Sequence, residues 1–186
     1  MPIPKTSLVS PHKSPFDVDK AYTTIRAYEG FRSKPYKDTK GLWTIGVGHL
    51  IGDGSAKAYK ESPFYKKTIS EADATKLAKS ELLKRLPNVV SLIGKRFFDM
   101  SPETQRELVA SYYRGGITGS PDTLKLIRVG KYKEASEEFL RHDDYKEAVK
   151  SGSGVAKRMK NLSVALAAEK PEKASFEEAV EERMSP

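Results

Sequence analysis

One change of pattern, between residues 31 and 50, does most to limit what this chain can fold into. Pro35, Gly41, Gly46 and Gly48 interrupt a run of aromatic and β-branched residues there, which is typical of strands joined by turns. From Ser70 almost to the end, the pattern is helical instead. A short β-region after one helix, followed by a long helical stretch, predicts an α+β fold with a small sheet lobe and a larger helical lobe.

Caps and breakers place the helices. Asp17 can cap a first helix that Gly30 ends, and residues 51–68 are expected to form a loop. Ser70 begins a helix that we expect to stop before Pro87, because proline disfavours helical geometry in the residue before it. Prolines and glycines at the ends of segments with apolar periodicity predict the later helices. One helix begins at Ser101 and ends at Gly115, one begins at Ser120–Asp122, and two more cover residues 131–141 and 154–168.

Composition divides the chain into an arm, a body and a tail. Residues 1–16 contain four prolines and are expected to form an extended arm. Residues 17–168 carry the periodic segments and are expected to form one domain. Residues 169–186 hold six acidic and three basic side chains and are expected to form an acidic tail.

The body of the protein is basic, and this limits its partners. Residues 1–168 hold 30 Lys and Arg against 19 Asp and Glu, which favours an anionic polymer such as nucleic acid, anionic lipid or an acidic cell-wall polymer. No basic cluster with interleaved aromatics is present, so nucleic acid is not expected. There is no cysteine, no histidine with metal-ligand spacing and no apolar run of membrane-spanning length, so we expect no disulfide, metal, cofactor or transmembrane segment.

The first helix places a carboxyl group at the end of an apolar stripe. Val18, Tyr22 and Ile25 share one face, and Glu29 follows on that face, next to the strand region. Burial should raise the pKa of such a carboxyl group, and a protonated carboxyl can act as a general acid. A solvated glutamate on a frayed last turn is the alternative from periodicity alone.

A second carboxyl and a hydroxyl follow in the strand region. Asp38 begins a tight turn. Residues 42–49 are predicted to form one strand, in which Thr44 shares a face with Gly46 and Gly48, which leaves room for a ligand near the backbone. Two carboxylates and a hydroxyl point weakly to glycoside hydrolysis, and an ordinary turn aspartate with an ordinary strand threonine is the alternative.

Three segments carry a specific resemblance: YEGFR at 28–32, YKDTKG at 36–41 and WTIGVGHL at 43–50. They closely resemble the phage-type lysozymes of glycoside hydrolase family 24, in which Glu, eight residues, Asp, five residues and Thr follow one another. Glu29, Asp38 and Thr44 stand at those spacings. Weaker similarity extends the match to roughly residues 18–168, outside the arm and the tail.

The resemblance implies a lysozyme-like α+β fold with the active site in the cleft between the lobes. It implies hydrolysis of the β-1,4 bond between N-acetylmuramic acid and N-acetylglucosamine in peptidoglycan. Glu29 would protonate the leaving oxygen, and ionised Asp38 with Thr44 would position the attacking water or stabilise positive charge. Further residues take roles from the resemblance or from their placement: substrate contacts from Leu50, Tyr113, Thr123 and Arg158, sugar platforms at Trp43 and Tyr113, and an ion pair between His49 and Glu81. Arg158 could instead reach Glu29, where an ion pair would oppose the rise in pKa that burial causes, or be a surface base.

The match also departs from the family pattern. Arg114 replaces an amide and Met159 replaces a second arginine, which leaves open a wall-binding module without activity. The N-terminus has no apolar signal region, so we expect synthesis in the host cytoplasm and action on the bacterial cell wall in the periplasm, or carriage in the virion. The alternative to a lysis enzyme is a virion-associated tail or capsid lysozyme whose terminal arms dock to other phage proteins.

Overall fold

The computed structural model describes residues 16–38 and 40–170 of the chain. A three-stranded antiparallel sheet follows the first helix, and the rest of the described chain is mainly helical, which confirms the predicted α+β class. The helices are α1 (Val18–Glu29), α2 (Ala56–Glu61), α3 (Glu71–Ile93), α4 (Pro102–Arg114), α5 (Pro121–Arg128), α6 (Tyr132–Phe139), α7 (Asp143–Lys150) and α8 (Gly154–Ala168). The strands are β1 (Arg32–Lys37), β2 (Trp43–Gly46) and β3 (His49–Leu50), and two short 3-10 helices cover Lys95–Asp99 and Ile117–Gly119.

The first helix forms as its caps predict. The Asp17 carboxylate accepts a hydrogen bond from the Lys20 amide, and Gly30 ends the helix at a positive φ of 71°. Ala21 and Ile25 are buried, so this face of α1 packs against the core. Glu29 is the last helical residue and therefore lies where the helix meets the sheet.

The sheet corrects one sequence prediction. Residues 42–49 were expected to form a single strand, but β2 and β3 are two strands of a tight hairpin in which Ile45 pairs with His49. Gly46 and Gly48 adopt φ values of 67° and 73°, which turn the chain back between the two strands. Gly46 is buried against Ala74 of α3, with only 3.2 Å from an ideal Cβ position to the alanine Cβ. It therefore allows the sheet to approach α3 rather than leaving room for a ligand.

Three helix predictions need correction. Helix α3 does not stop before Pro87 but continues to Ile93, because Leu82, Val89 and Ile93 bury one face of the helix in the core. This packing outweighs the hydrogen bond that proline cannot donate. The predicted loop over residues 51–68 contains the short helix α2, and α7 was missed; α2 buries no residue and α7 buries only Ala148, so neither leaves a strong apolar pattern.

The core lies in the helical lobe, where buried side chains of α1, α3, α4, α5, α6 and α8 meet. Two residues at the expected domain borders contact this lobe. Phe16 lies against Phe97, with ring centroids 5.9 Å apart. Glu169 accepts hydrogen bonds from the amide and hydroxyl of Ser101, the N-cap residue of α4.

The remainder of the predicted arm (residues 1–15) and of the predicted tail (residues 171–186) lies outside the described residues. The proposed docking of these ends to other proteins is therefore still a prediction. In the part of the chain that the structure describes, no helix is long and apolar enough to cross a membrane.

Candidate active site

A cleft of about 580 Å³ separates the sheet from the C-terminal end of α4. It brings together five of the eight predicted catalytic and sugar-contacting residues, which are Glu29, Asp38, Thr44, Leu50 and Tyr113. The sheet and its turns supply one wall, α4 supplies the other, and Glu29 stands at the junction.

Glu29 is held by a partner from the far end of the domain. Arg158 of α8 donates a hydrogen bond from Nη1 to Oε1 of Glu29 at 2.7 Å, and the glutamate side chain remains 27% exposed. The same guanidinium donates from Nη2 to the carbonyl of Tyr28. Gly48 lies beside Glu29, and an ideal Cβ on this glycine would stand 3.7 Å from Glu29 Cγ. A side chain at residue 48 would therefore occupy space next to the carboxyl group.

Asp38 is held by its own turn. Its Oδ1 atom accepts hydrogen bonds from the backbone amides of Lys40 at 2.9 Å and Leu42 at 2.8 Å. Aspartate commonly organises a turn in this way, because its short side chain reaches amides two to four residues later. The carboxylate is therefore both a turn-forming group and part of the cleft lining.

Thr44 lies on β2, where it pairs with Tyr36 of β1 and with Leu50 of β3. It is 5% exposed, and its hydroxyl donates to the Leu42 carbonyl at 3.2 Å. The small part of Thr44 that remains exposed lines the cleft, and so does the exposed Leu50 side chain.

A second network supports the opposite wall. His49 donates from Nδ1 to Oε1 of Glu81 at 2.7 Å, as the sequence predicted, and the Tyr113 hydroxyl donates to the other carboxylate oxygen at 3.0 Å. Burial would raise the pKa of Glu81, but the bonds from His49 and Tyr113 and the charges of His49 and Arg85 outweigh burial and lower it. Burial and the Glu81 charge raise the pKa of Tyr113. The network thereby joins the hairpin to α3 and α4.

Three predicted residues lie away from the cleft surface. Arg158 contacts Glu29 from behind the lining. Thr123 is 0% exposed inside the helical lobe, so a glycan in the cleft cannot contact it without opening this interior. Trp43 is stacked on Tyr59, with ring centroids 4.0 Å apart, and is not part of the lining.

Sequence reasoning missed the cationic lining of the cleft. Arg32, Lys37 and Lys40 lie near Glu29 or Asp38 in the sequence, whereas Arg85 and Arg114 reach the cleft from distant helices. The overall positive charge was the only signal for the two distant residues as part of a cationic cleft. Burial and the neighbouring Arg158 lower the pKa of one of them, Arg114. The cationic residues are Arg32, Lys37, Lys40, Arg85 and Arg114. Among the described residues, no group of three His, Asp or Glu side chains is arranged to hold a metal ion.

Comparison with known proteins agrees with this geometry. The phage lysozyme family model matches residues 26–161, a range that includes Glu29, Asp38, Thr44 and Arg158. This chain belongs to the phage lysozyme family. It is also 25% identical over 126 residues to an endolysin of Acyrthosiphon pisum secondary endosymbiont phage 1, a match that covers 66% of this chain and 77% of that protein. The family assignment makes the chain a phage-type peptidoglycan hydrolase.

Proposed function

We propose that this protein is a muramidase that hydrolyses the β-1,4 bond between N-acetylmuramic acid and N-acetylglucosamine. The observation that carries the proposal is the presence of Glu29, Asp38 and Thr44 on one open cleft, in a chain of the phage lysozyme family. Most glycoside hydrolases use two carboxyl groups on one cleft as their catalytic residues.

Glu29 is the proposed general acid, which protonates the oxygen of the leaving sugar. It stands at the junction of the two lobes, and Arg158 restrains its carboxyl group by a direct hydrogen bond. Gly48 keeps the space beside the carboxyl free of a side chain. A positioned general acid contributes about 100-fold to 10,000-fold to a rate.

Asp38 is the proposed ionised partner. Two backbone amides already donate to its Oδ1 atom, which fixes the side chain in the lining. In this proposal Asp38 and the Thr44 hydroxyl together orient the attacking water, and the charge of Asp38 stabilises positive charge at the anomeric carbon.

The cationic lining supports an acidic substrate. Five Lys and Arg side chains surround two carboxylates on the cleft. Muramic acid carries a carboxyl group, either free or as the attachment point of a peptide with carboxylates of its own. A cationic cleft attracts such a polymer and orients it before the bond is cut.

The first test is the substitution Glu29→Gln, which keeps the shape of the side chain and removes the acid. We expect loss of turbidity reduction on Gram-negative cells with a permeabilised outer membrane, while circular dichroism and the thermal unfolding midpoint show a folded protein. Glu61→Gln is the matched control, because Glu61 is exposed at the end of α2 and outside the cleft. Full lysis by Glu29→Gln would exclude Glu29 as the acid and would leave the proposed mechanism without its central group.

The second test identifies the bond. Purified peptidoglycan is digested, the new reducing ends are reduced with borohydride, and the products are analysed by mass spectrometry after acid hydrolysis. A muramidase leaves muramic acid at the new reducing end. Reduced glucosamine would instead identify a glucosaminidase, and products without a reducing end would identify a lytic transglycosylase.

A further inference from the structure

Glu107 is a buried carboxyl group that the proposed mechanism does not use. It lies on α4, is 8% exposed, and is not part of the cleft lining. Both of its carboxylate oxygens accept from the Tyr28 hydroxyl, at 3.0 and 2.9 Å. A carboxyl group inside a protein is costly unless its partners are well placed, so this arrangement requires an explanation.

Tyr28 joins Glu107 to the region of the catalytic acid. Its hydroxyl accepts a hydrogen bond from Nδ2 of Asn161 at 2.7 Å while it donates to Glu107, so the phenol is held from α4 and from α8. Burial, opposed by Asn161 and aided by Glu107, raises the pKa of Tyr28 to about 12, so the phenol keeps its proton. The position of the ring is therefore fixed by two hydrogen-bonding partners on two different helices.

Arg158 lies against this fixed ring. Its guanidinium carbon is 5.3 Å from the centroid of the Tyr28 ring, and Nη2 donates to the Tyr28 carbonyl. That carbonyl is one of the last in α1, where no amide of the helix remains to bond it. The same guanidinium donates from Nη1 to Glu29, the next residue along the chain. The orientation of the guanidinium thus depends on Tyr28 and directly determines where Glu29 is held.

We propose that Tyr28, Glu107 and Asn161 form a positioning cluster that holds Arg158 in the orientation in which it restrains Glu29. The three residues act on catalysis through Arg158 and make no contact with the substrate. The inference rests on the proposed function, since it assigns Glu29 as the general acid. The competing explanation is a purely structural bond between α1, α4 and α8.

The decisive comparison uses Tyr28→Phe and Tyr22→Phe. Both substitutions remove one tyrosine hydroxyl from α1 and keep the ring. The Tyr22 hydroxyl bonds Thr75 on α3, at 2.8 Å, away from Arg158. A misplacement of a catalytic group by 1 Å can lower the rate ~100-fold, and loss of the Tyr28 hydroxyl should move the Glu29 carboxyl by less than 1 Å. We therefore expect Tyr28→Phe to lower kcat about 10-fold, with KM within 2-fold. Tyr22→Phe should keep kcat, and an equal loss in both variants would overturn the proposal.

A cycle with Arg158→Met tests the route of the effect. If the Tyr28 hydroxyl acts through Arg158, Tyr28→Phe should cause no further loss of kcat when Arg158 is already absent. Losses that multiply in the double variant would contradict the proposal. The thermal unfolding midpoints of the wild type, the two single variants and the double variant give a second measurement that does not depend on activity. The shift in the double variant should be smaller than the sum of the shifts in the two single variants.

A rescue variant separates positioning from stability. Tyr28→Phe leaves the Glu107 carboxyl without the phenol, and the double variant Tyr28→Phe/Glu107→Met removes that buried group. We expect the double variant to regain thermal stability without regaining kcat. Recovery of kcat in step with stability would show a structural role only. Glu29→Gln is assayed in parallel: full activity there would refute the proposed function, while the unfolding cycle would still decide whether Tyr28 acts on Arg158.

Discussion

The two carboxylates of the cleft are held in place by different means. Asp38 is held by the amides of Lys40 and Leu42, which belong to its own turn. Glu29 is held by Arg158, which lies 129 residues later in the chain, on another helix. One carboxylate is thus positioned by local backbone geometry, and the other by the packing of α8 against the rest of the helical lobe.

The difference determines which parts of the molecule can affect each carboxylate. A turn that is closed by its own aspartate needs only a few neighbouring residues, so distant substitutions should leave Asp38 in place. The Glu29–Arg158 contact requires α1, α4 and α8 to be docked correctly, so residues that never touch the substrate can change it. Asp38→Asn and Arg158→Met test this contrast directly. Glu81→Gln and Thr123→Val, with smaller expected effects, test two positions outside the pair.

Replacing Asp38 by Asn should separate charge from position. Asparagine keeps an oxygen that can accept from the Lys40 and Leu42 amides, so the turn should remain and the thermal unfolding midpoint should change little. The loss of the negative charge should lower kcat by ~1000-fold, within the usual range for a catalytic carboxylate. Asp53→Asn is the control, because Asp53 accepts from the Ser55 amide in a similar turn outside the cleft. Near-normal activity of Asp38→Asn would show that Asp38 serves the turn alone.

Replacing Arg158 by Met should affect both activity and stability. Glu29 loses its restraint, and we expect kcat to fall by ~100-fold, as for a misplacement of about 1 Å. Because the pair is partly exposed, the loss of unfolding free energy should be only about 1 kcal/mol. Lys157→Met is the control, since Lys157 is an exposed neighbour on the same helix. Unchanged kcat in Arg158→Met would remove the contrast between the two carboxylates.

The Glu81 network should make stability sensitive to acid. The pKa of Glu81 is lowered in the folded protein, so its contribution to stability is present above the unfolded pKa of about 4.5 and is lost as pH falls through the folded value. Glu81→Gln removes the charge from the hydrogen bonds of this carboxyl group, which should cost about 2 kcal/mol near pH 6, and less below pH 4. The measurement is urea unfolding as a function of pH.

The control for Glu81 is Glu71→Gln. Glu71 pairs with Arg26 on the surface, so its replacement should cost under about 1 kcal/mol. An equal cost at both positions, or a Glu81→Gln cost that does not decrease in acid, would argue against the assigned role of the network.

Replacing Thr123 by Val should have the smallest effect. The Thr123 hydroxyl is buried and makes no hydrogen bond among the described residues. Valine removes that polar atom at nearly constant shape, so unfolding should become harder by about 1 kcal/mol or less. Turnover and KM should not change if Thr123 is away from the substrate. A raised KM would restore the substrate contact that the sequence resemblance implies.

Much of the candidate site could be predicted because it is local or carried by a motif. Glu29, Asp38 and Thr44 stand at family spacing, and the structure brings them to one cleft. The cap at Asp17 and the helix end at Gly30 are also local features, and both predictions are confirmed. The cationic lining was not predicted, because Arg32, Arg85 and Arg114 come from three different elements.

Short-range chemistry in the sequence determined the α+β class, the cap and stop of α1 and the turn at Asp38. Tertiary structure alone decided that α3 runs through Pro87, that Thr123 is buried and that Tyr28 connects Glu107 to Arg158. The reason is that caps and turns depend on hydrogen bonds between residues that are close in the sequence, so a short segment of sequence is enough to predict them. Burial and long-range ion pairs depend on how helices dock, and there the gain from packing apolar faces outweighs local preference.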